Sequence, residues 1–282
     1  MWTAAAAAAL AAWVVTERIH GPTAGPLPET LPYSVRRPPP LHAAFPAREA
    51  ASSPGEEMRR LHARGLTGKN VGIAIIDRPL LTEHREYADR LRWYDEIDAA
   101  PDEPAGWHST AVASIAAGRT VGVAPESDLY FVGLGMNWKG EPFGNLLVAA
   151  RRAVHTGLPV ALAIRRILEM NRHLEPGRKI RVISISMGGG PALLGLNQTG
   201  DAIAEARRAG LFVSTADLRL TPMGPVTIAS PGGPDAYTTH QRPAGSWAIA
   251  WWAGRYALAC QEDPCMTPER FLKQIPSSAR LP

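Results

Sequence analysis

The sequence predicts an α/β fold, a single domain built on a mostly parallel β-sheet with helices on both faces. Two observations carry that expectation. Four runs of strand length, Asn70 to Asp77, Asp128 to Leu134, Ile180 to Ser186 and Gly210 to Thr215, are almost continuously apolar. Strands that are apolar on both faces belong in buried parallel sheets. Segments of helical period lie between these runs, so strand and helix alternate along the chain. A length of 282 residues, 45% hydrophobic and 20% charged, suits one large domain and excludes a wholly disordered or fibrous chain.

In chain order, residues 1–20 are apolar and rich in alanine. The stretch from Trp2 to Val15 is 14 residues long, short of the roughly 20 that a spanning helix needs, so no membrane span is expected. No Lys or Arg precedes it, a departure from the basic start of a secretory signal. The segment reads as a signal peptide, a short anchor or an upstream extension. A secreted or cell-envelope location is expected, with a cytoplasmic one as the alternative. Residues 21–55 carry nine prolines. So many fixed φ angles and missing donors prevent a helix or a central strand, which makes this stretch a linker.

The expected folded domain covers residues 56–282. Glu56 to Arg64 reads as a short helix, stopped by Gly65 just past its end. Further helices are expected over His108 to Ala117, Gly144 to His155, Val160 to Leu174, Asp201 to Ala209, Ser246 to Gln261 and Thr267 to Gln274. The net charge is +4, and only Lys69, Lys139, Lys179 and Lys273 are lysines. The arginines are scattered and are not interleaved with aromatic residues, so no nucleic-acid partner is expected. Two cysteines, Cys260 and Cys265, are too few for a disulfide framework. They either pair with each other or remain free thiols. Neither sits in a metal-binding spacing, and no metal or cofactor is expected.

The residues that could do chemistry lie where an open α/β sheet binds ligands, beyond the carboxyl ends of its strands. Asp77 ends the first apolar run, and His108 and Ser246 each open a helix. A serine hydroxyl is a weak nucleophile alone. An imidazole can take its proton, and a carboxylate can fix the imidazole tautomer and stabilise the imidazolium. The serine's own N–H, unpaired at a helix start, can serve as an oxyanion donor.

The residues around these three extend the pattern. Gly65-Leu-Thr-Gly-Lys-Asn-Val-Gly-Ile-Ala-Ile-Ile-Asp77 resembles the first signature of the subtilisin-like serine peptidases. Trp107-His108-Ser109-Thr110-Ala111-Val112-Ala113 resembles the second, and Val121-Gly122-Val123-Ala124-Pro125 matches the Gly-Val-Ala-Pro stretch that follows it. Ile183-Ser184-Ile185-Ser186-Met187-Gly188 is similar to the segment lining the family's substrate cleft. Gly245-Ser246-Trp247-Ala248-Ile249-Ala250 resembles the third signature. The resemblance implies a compact, divergent serine endopeptidase with Asp77 orienting the imidazole, His108 as general base and Ser246 as nucleophile. It also implies that Ser186, Met187 and Gly188 pair with an extended peptide by strand addition. A monomer acting on a peptide or protein substrate is the expectation. His84, seven residues past the aspartate, reads as a structural loop residue.

Several departures qualify the resemblance. Asp77 is followed by Arg78-Pro79 where the family has Ser or Thr and then Gly, and Ser109 replaces a glycine after the histidine. The family's oxyanion asparagine has no counterpart, for no asparagine follows Asn197. Thr215, Ser214 or a backbone N–H would have to stand in. The stretch from Asp217 to Ser246 is also shortened, as though a strand or two were missing. The alternative function is therefore a catalytically impaired relative that binds peptides in the same cleft.

The composition of the first 55 residues generates a prediction. Deleting residues 1–55 should leave a soluble core that still unfolds cooperatively, because this arm has too few periodic apolar positions to build packed structure. Insoluble truncated protein would show that the arm packs on the domain.

Overall fold

Strand β1 (Gly72–Asp77) is buried at every residue and pairs in parallel with a neighbour on each side. In the computed structural model the sheet order is β2 (Leu91–Ile97), β3 (Asp128–Leu134), β1, β4 (Ile180–Ile185), β5 (Phe212–Ser214), all parallel. The structure describes residues 54–97, 99, 105–135, 146–187, 198–221, 223, 226–229, 236–239 and 245–280. All of them fall in the unit Ser34–Pro282. The expected apolar leader, residues 1–20, and residues 21–53 of the expected proline-rich linker lie outside the described residues.

The helices are α1 (Glu56–Ala63), α2 (Trp107–Ala117), α3 (Leu146–His173), α4 (Gln198–Arg208), α5 (Gly245–Glu262) and α6 (Pro268–Gln274). The parallel sheet with intervening helices is the architecture expected from the alternating runs. Three features differ from expectation. Strand β2 at the sheet edge was not anticipated, because its sequence Leu-Arg-Trp-Tyr-Asp-Glu-Ile mixes buried and part-exposed positions instead of running apolar throughout. The two helices expected over Gly144 to His155 and Val160 to Leu174 are one, α3, with Pro159 inside it. An internal proline costs about 3 kcal/mol. Burial of Val160, Ala161, Ala163, Ile164 and Ile167 immediately after it offsets that cost. Finally, the shortened stretch before α5 contains a two-stranded antiparallel hairpin, β6 (Val226–Ala229) with β7 (Ala236–Thr239).

Helices α2 and α5 decide where the polar groups end up. Every residue of α2 from Ser109 to Ala117 is buried. Such a helix must have neighbours all round, and its alanines let them come close. On α5 the facing residues are small as well, including Ala250, Ala253, Gly254 and Ala257. The contact at Gly254 is the tightest point: a Cβ there would lie 2.6 Å from Val123 Cβ and 2.9 Å from the Ala116 carbonyl oxygen. The far end of α2 is pinned by Arg90, whose Nη1 donates to the Ala117 carbonyl at 2.6 Å. A cation there also complements the negative end of the helix dipole. Glu86, itself buried, holds the turn beyond α2 by accepting from the Thr120 N–H at 2.8 Å and its hydroxyl at 2.7 Å.

Under the sheet, Phe212, Tyr256 and Phe271 form an aromatic cluster with ring centroids 4.7–5.4 Å apart. Cys260 is buried beside it, and burial pushes its thiol up to about 11. Cys265 is exposed, and neither cysteine is bonded to the other. No described helix is long and apolar enough to cross a membrane.

The Gly254 contact gives a quantitative test. On an open helix Gly→Ala would stabilise by up to about 1 kcal/mol, whereas forcing a methyl into a filled contact costs about 1–3 kcal/mol. Here the second effect should win. Gly254→Ala is expected to lower the unfolding free energy in urea, and Gly254→Val to lower it further; a gain in stability for the alanine variant would mean that the two helices have slack.

Candidate active site

The carboxyl ends of β1 and β4 and the first turns of α2 and α5 converge on one polar cluster. Asp77 closes β1, and its side chain is only 1% exposed. A carboxylate removed from water needs hydrogen-bond donors. It has two. The Arg78 N–H donates to Oδ1 at 2.7 Å, and His108 Nδ1 lies 3.0 Å from both Oδ1 and Oδ2. Because a carboxylate only accepts, Nδ1 carries the hydrogen, and the neutral ring keeps Nε2 as its acceptor. That nitrogen belongs to a side chain one-quarter exposed.

His108 is the second residue of α2, after the N-cap Gly106. The two departures from the family signatures meet here. The Ser109 hydroxyl donates to the Pro79 carbonyl at 2.8 Å, and the Gly106 N–H donates to the same oxygen at 2.7 Å. The turn after Asp77 is thus tied to the start of the helix that carries His108. Its next residue is held from the other side, where the Leu80 N–H donates to the Tyr94 hydroxyl at 3.2 Å. His84 lies apart from the cluster. It is buried, stacks on Tyr87 at 5.3 Å, and its Nδ1 accepts from the Glu86 N–H, which fits a structural role.

Ser246 is the second residue of α5 and is half-buried. Its hydroxyl donates to the Ser186 carbonyl at 3.3 Å, and the Ser186 hydroxyl donates back to the Ser246 carbonyl at 3.3 Å. No hydrogen bond joins Ser246 to His108 among the described residues. The neighbouring Trp247 ring nevertheless lies against the imidazole, with centroids 5.1 Å apart. Ser186 and Met187 follow β4 directly and are half-buried; Gly188 lies outside the described residues. Strand β5 pairs only with Val182 to Ser184. The backbone beyond Ile185 therefore continues past the end of the ladder.

The candidates for the missing asparagine separate clearly. Ser214 donates its hydroxyl to the Ile249 carbonyl at 2.9 Å and is committed. Asp217 pairs with Arg207 at 3.1 Å. The Thr215 hydroxyl is buried and has no partner among the described residues. The first N–H groups of α5, Ser246 included, have no partner within the helix. Sequence reasoning passed over Trp107 and Trp247, which flank His108 with centroids at 5.9 and 5.1 Å. Their only sequence signal is adjacency, one before the histidine and one after the serine. Among the described residues no cluster of three or more His, Cys, Asp or Glu could hold a metal ion.

Comparison with known proteins agrees with the first two signatures and the cleft segment, while Gly245 to Ala250 lies beyond the residues matched by the family. Residues 68–217, more than half of the chain, match the Subtilase family. The subtilisin-like protease PopC of Myxococcus xanthus (strain DK1622) is 31% identical over 115 residues, covering 31% of this chain and 24% of PopC. The chain thus spans about a quarter of that relative's length. Among solved structures, the MycP1 protease of the type VII (ESX-1) secretion system superposes with a TM-score of 0.56 at 18% identity, covering 85% of this chain and 82% of MycP1. A cold-adapted subtilisin-like serine proteinase gives a TM-score of 0.50 at 19% identity, covering 73% of this chain and 81% of its own. At such identities the likeness speaks for the fold, while the match over residues 68–217 speaks for descent. The chain belongs to the subtilase family.

Proposed function

We propose that the protein is a serine endopeptidase that cuts peptide bonds through an acyl-enzyme intermediate, with Asp77, His108 and Ser246 as its triad. The observation that carries this reading is the buried Asp77 carboxylate bound to His108 Nδ1. That bond leaves Nε2 of the neutral ring unprotonated, the state a general base requires. Ser246 sits at a helix start whose unpaired N–H groups and positive dipole end suit a developing oxyanion. A substrate chain would pair with the backbone beyond β4, at Ser186, Met187 and Gly188, placing its scissile carbonyl at Ser246.

The reaction needs one local change. Ser246 must release its hydroxyl from the Ser186 carbonyl and present it to His108 Nε2. Catalytic hydrogen bonds are commonly long or misaligned without substrate and tighten only in the complex. The hydroxyl then gives its proton to Nε2 as Oγ bonds to the carbonyl carbon. His108 returns that proton to the leaving amine when the tetrahedral intermediate collapses, and water repeats the cycle on the ester.

A second reading has one observation in its favour. The Ser246 hydroxyl is bound to Ser186 and no side-chain amide supports an oxyanion among the described residues, so the cleft could bind peptides without cutting them.

Two measurements decide between these readings. A fluorophosphonate probe should label the protein at Ser246 and should fail to label Ser246→Ala, whose turnover falls by about 10⁶ if the triad is intact. Labelling that persists in the variant would sink the assignment. Loss of an oxyanion side-chain donor costs about 10²–10³ in turnover, and it weighs more on amides than on activated esters. Matched ester and amide substrates should therefore show a wide gap in kcat; an amide rate of tens per second or more would mean that another donor completes the hole.

A further inference from the structure

Trp107 is 58% exposed, and among the described residues only Met223 is another large hydrophobic left so open. A lone exposed apolar side chain is ordinary, but Trp107 is not alone. Its ring meets the His108 imidazole edge-on at 5.9 Å and 80°, and meets Trp247 at 6.0 Å. Trp247 in turn lies tilted over the imidazole at 5.1 Å and is only 8% exposed. The three rings form one continuous surface. Its buried end rests on the residue after Ser246, and its open end is Trp107. Nothing in helix propensity asks for tryptophan at the first position of a helix, and its exposed face contributes little to the core.

The geometry points to Trp107, backed by Trp247, as a specificity-determining residue: an aromatic wall that takes a large apolar side chain of the substrate one residue from the scissile bond. The inference rests on Ser246 being the nucleophile. A reacting carbonyl must lie about 3–3.5 Å from its Oγ. The adjoining substrate residue is one Cα step away, about 3.8 Å, within reach of rings that touch the imidazole. An apolar side chain laid there would cover the open Trp107 face, and the gain is hydrophobic. A small or charged side chain would leave that face wet.

The test compares peptides identical except at the two residues adjoining the one that supplies the scissile carbonyl, each carrying Leu, Phe or Ala. For the wild-type protein kcat/KM should favour Leu or Phe over Ala by about tenfold or more at one of the two positions. Trp107→Ala and Trp107→Gln should both collapse that ratio toward one, and Trp107→Phe should keep most of it; thermal melts confirm that the variants fold. Where turnover is too slow to measure, the same ratio is read from how well each peptide protects Ser246 from a fluorophosphonate. A wild-type ratio near one at both positions, or a ratio that survives in both Trp107→Ala and Trp107→Gln, overturns the inference. Labelling of Ser246 with a flat ratio overturns the aromatic wall alone. No labelling of the wild-type protein overturns the nucleophile assignment and the inference with it.

Discussion

Asp77 places an ionisable group where water does not reach, at the end of the central strand, and much of the surrounding structure answers to that one constraint. Leaving such a carboxylate without a partner would cost several kcal/mol. The Arg78 N–H and the His108 ring supply its hydrogen bonds. For His108 to be there, α2 must start beside the end of β1, and Pro79 must offer its carbonyl to both Gly106 and Ser109. Arg78-Pro79 and Ser109 looked like separate blemishes in the signatures. In the fold they are partners in one clasp that seats the histidine over its carboxylate.

The same constraint works at longer range through packing. A helix buried from Ser109 to Ala117 carries no charged residue that could find water, and its alanines allow α5 to approach until Gly254 meets Val123 and Ala116. That approach sets the start of α5, and with it Ser246 and Trp247, against the start of α2. The sheet contributes the third party. Because β5 is only three residues long, β4 outruns it, and the Ser186 carbonyl is left to accept from Ser246. Asp77, His108 and Ser246 thus come from distant parts of the chain. A buried strand and a buried helix join Asp77 to His108, and the small-residue contact sets Trp247, next to Ser246, against the imidazole.

How much of this the sequence disclosed follows from the kind of signal each feature leaves. Strands β1, β3, β4 and β5 are buried on both faces and read as continuous apolar runs. Strand β2 lies at the edge, where Arg92, Asp95 and Glu96 reach outward, so its run is broken and it was missed. Pro159 reads locally as a helix boundary, and only tertiary burial of the residues after it carries α3 through. Asp77, His108 and Ser246 stand out in the sequence because their neighbours resemble a family's motifs. The clasp on Pro79 was not, since its acceptor is a backbone carbonyl and leaves no trace in residue type. The aromatic flank escaped for a related reason: tryptophans at 107 and 247 are far apart in sequence, and only the meeting of two helix starts makes them neighbours.

An oxyanion forming at Ser246, as proposed, would set two electrostatic demands on the fold. A carboxylate at Asp217 would repel an oxyanion forming at the start of α5. Its pairing with Arg207 turns that charge toward α4, where exposure to solvent screens it further. Among the described residues, the candidates left for the proposed oxyanion are the N–H groups in the first turn of α5, which have no partner within the helix, and the buried Thr215 hydroxyl, which has no partner. Fewer donors need not mean a proportionally weaker field, because each is worth more where water is kept away. Trp247 is nearly fully buried against the imidazole and excludes water from one face of the ring. A substrate side chain lying on Trp107 would dry the other approach. If Ser246 is the nucleophile and Trp107 takes a substrate side chain, as proposed, one aromatic surface would couple recognition to transition-state stabilisation, and a poorly fitting side chain would lower the chemical rate as well as binding.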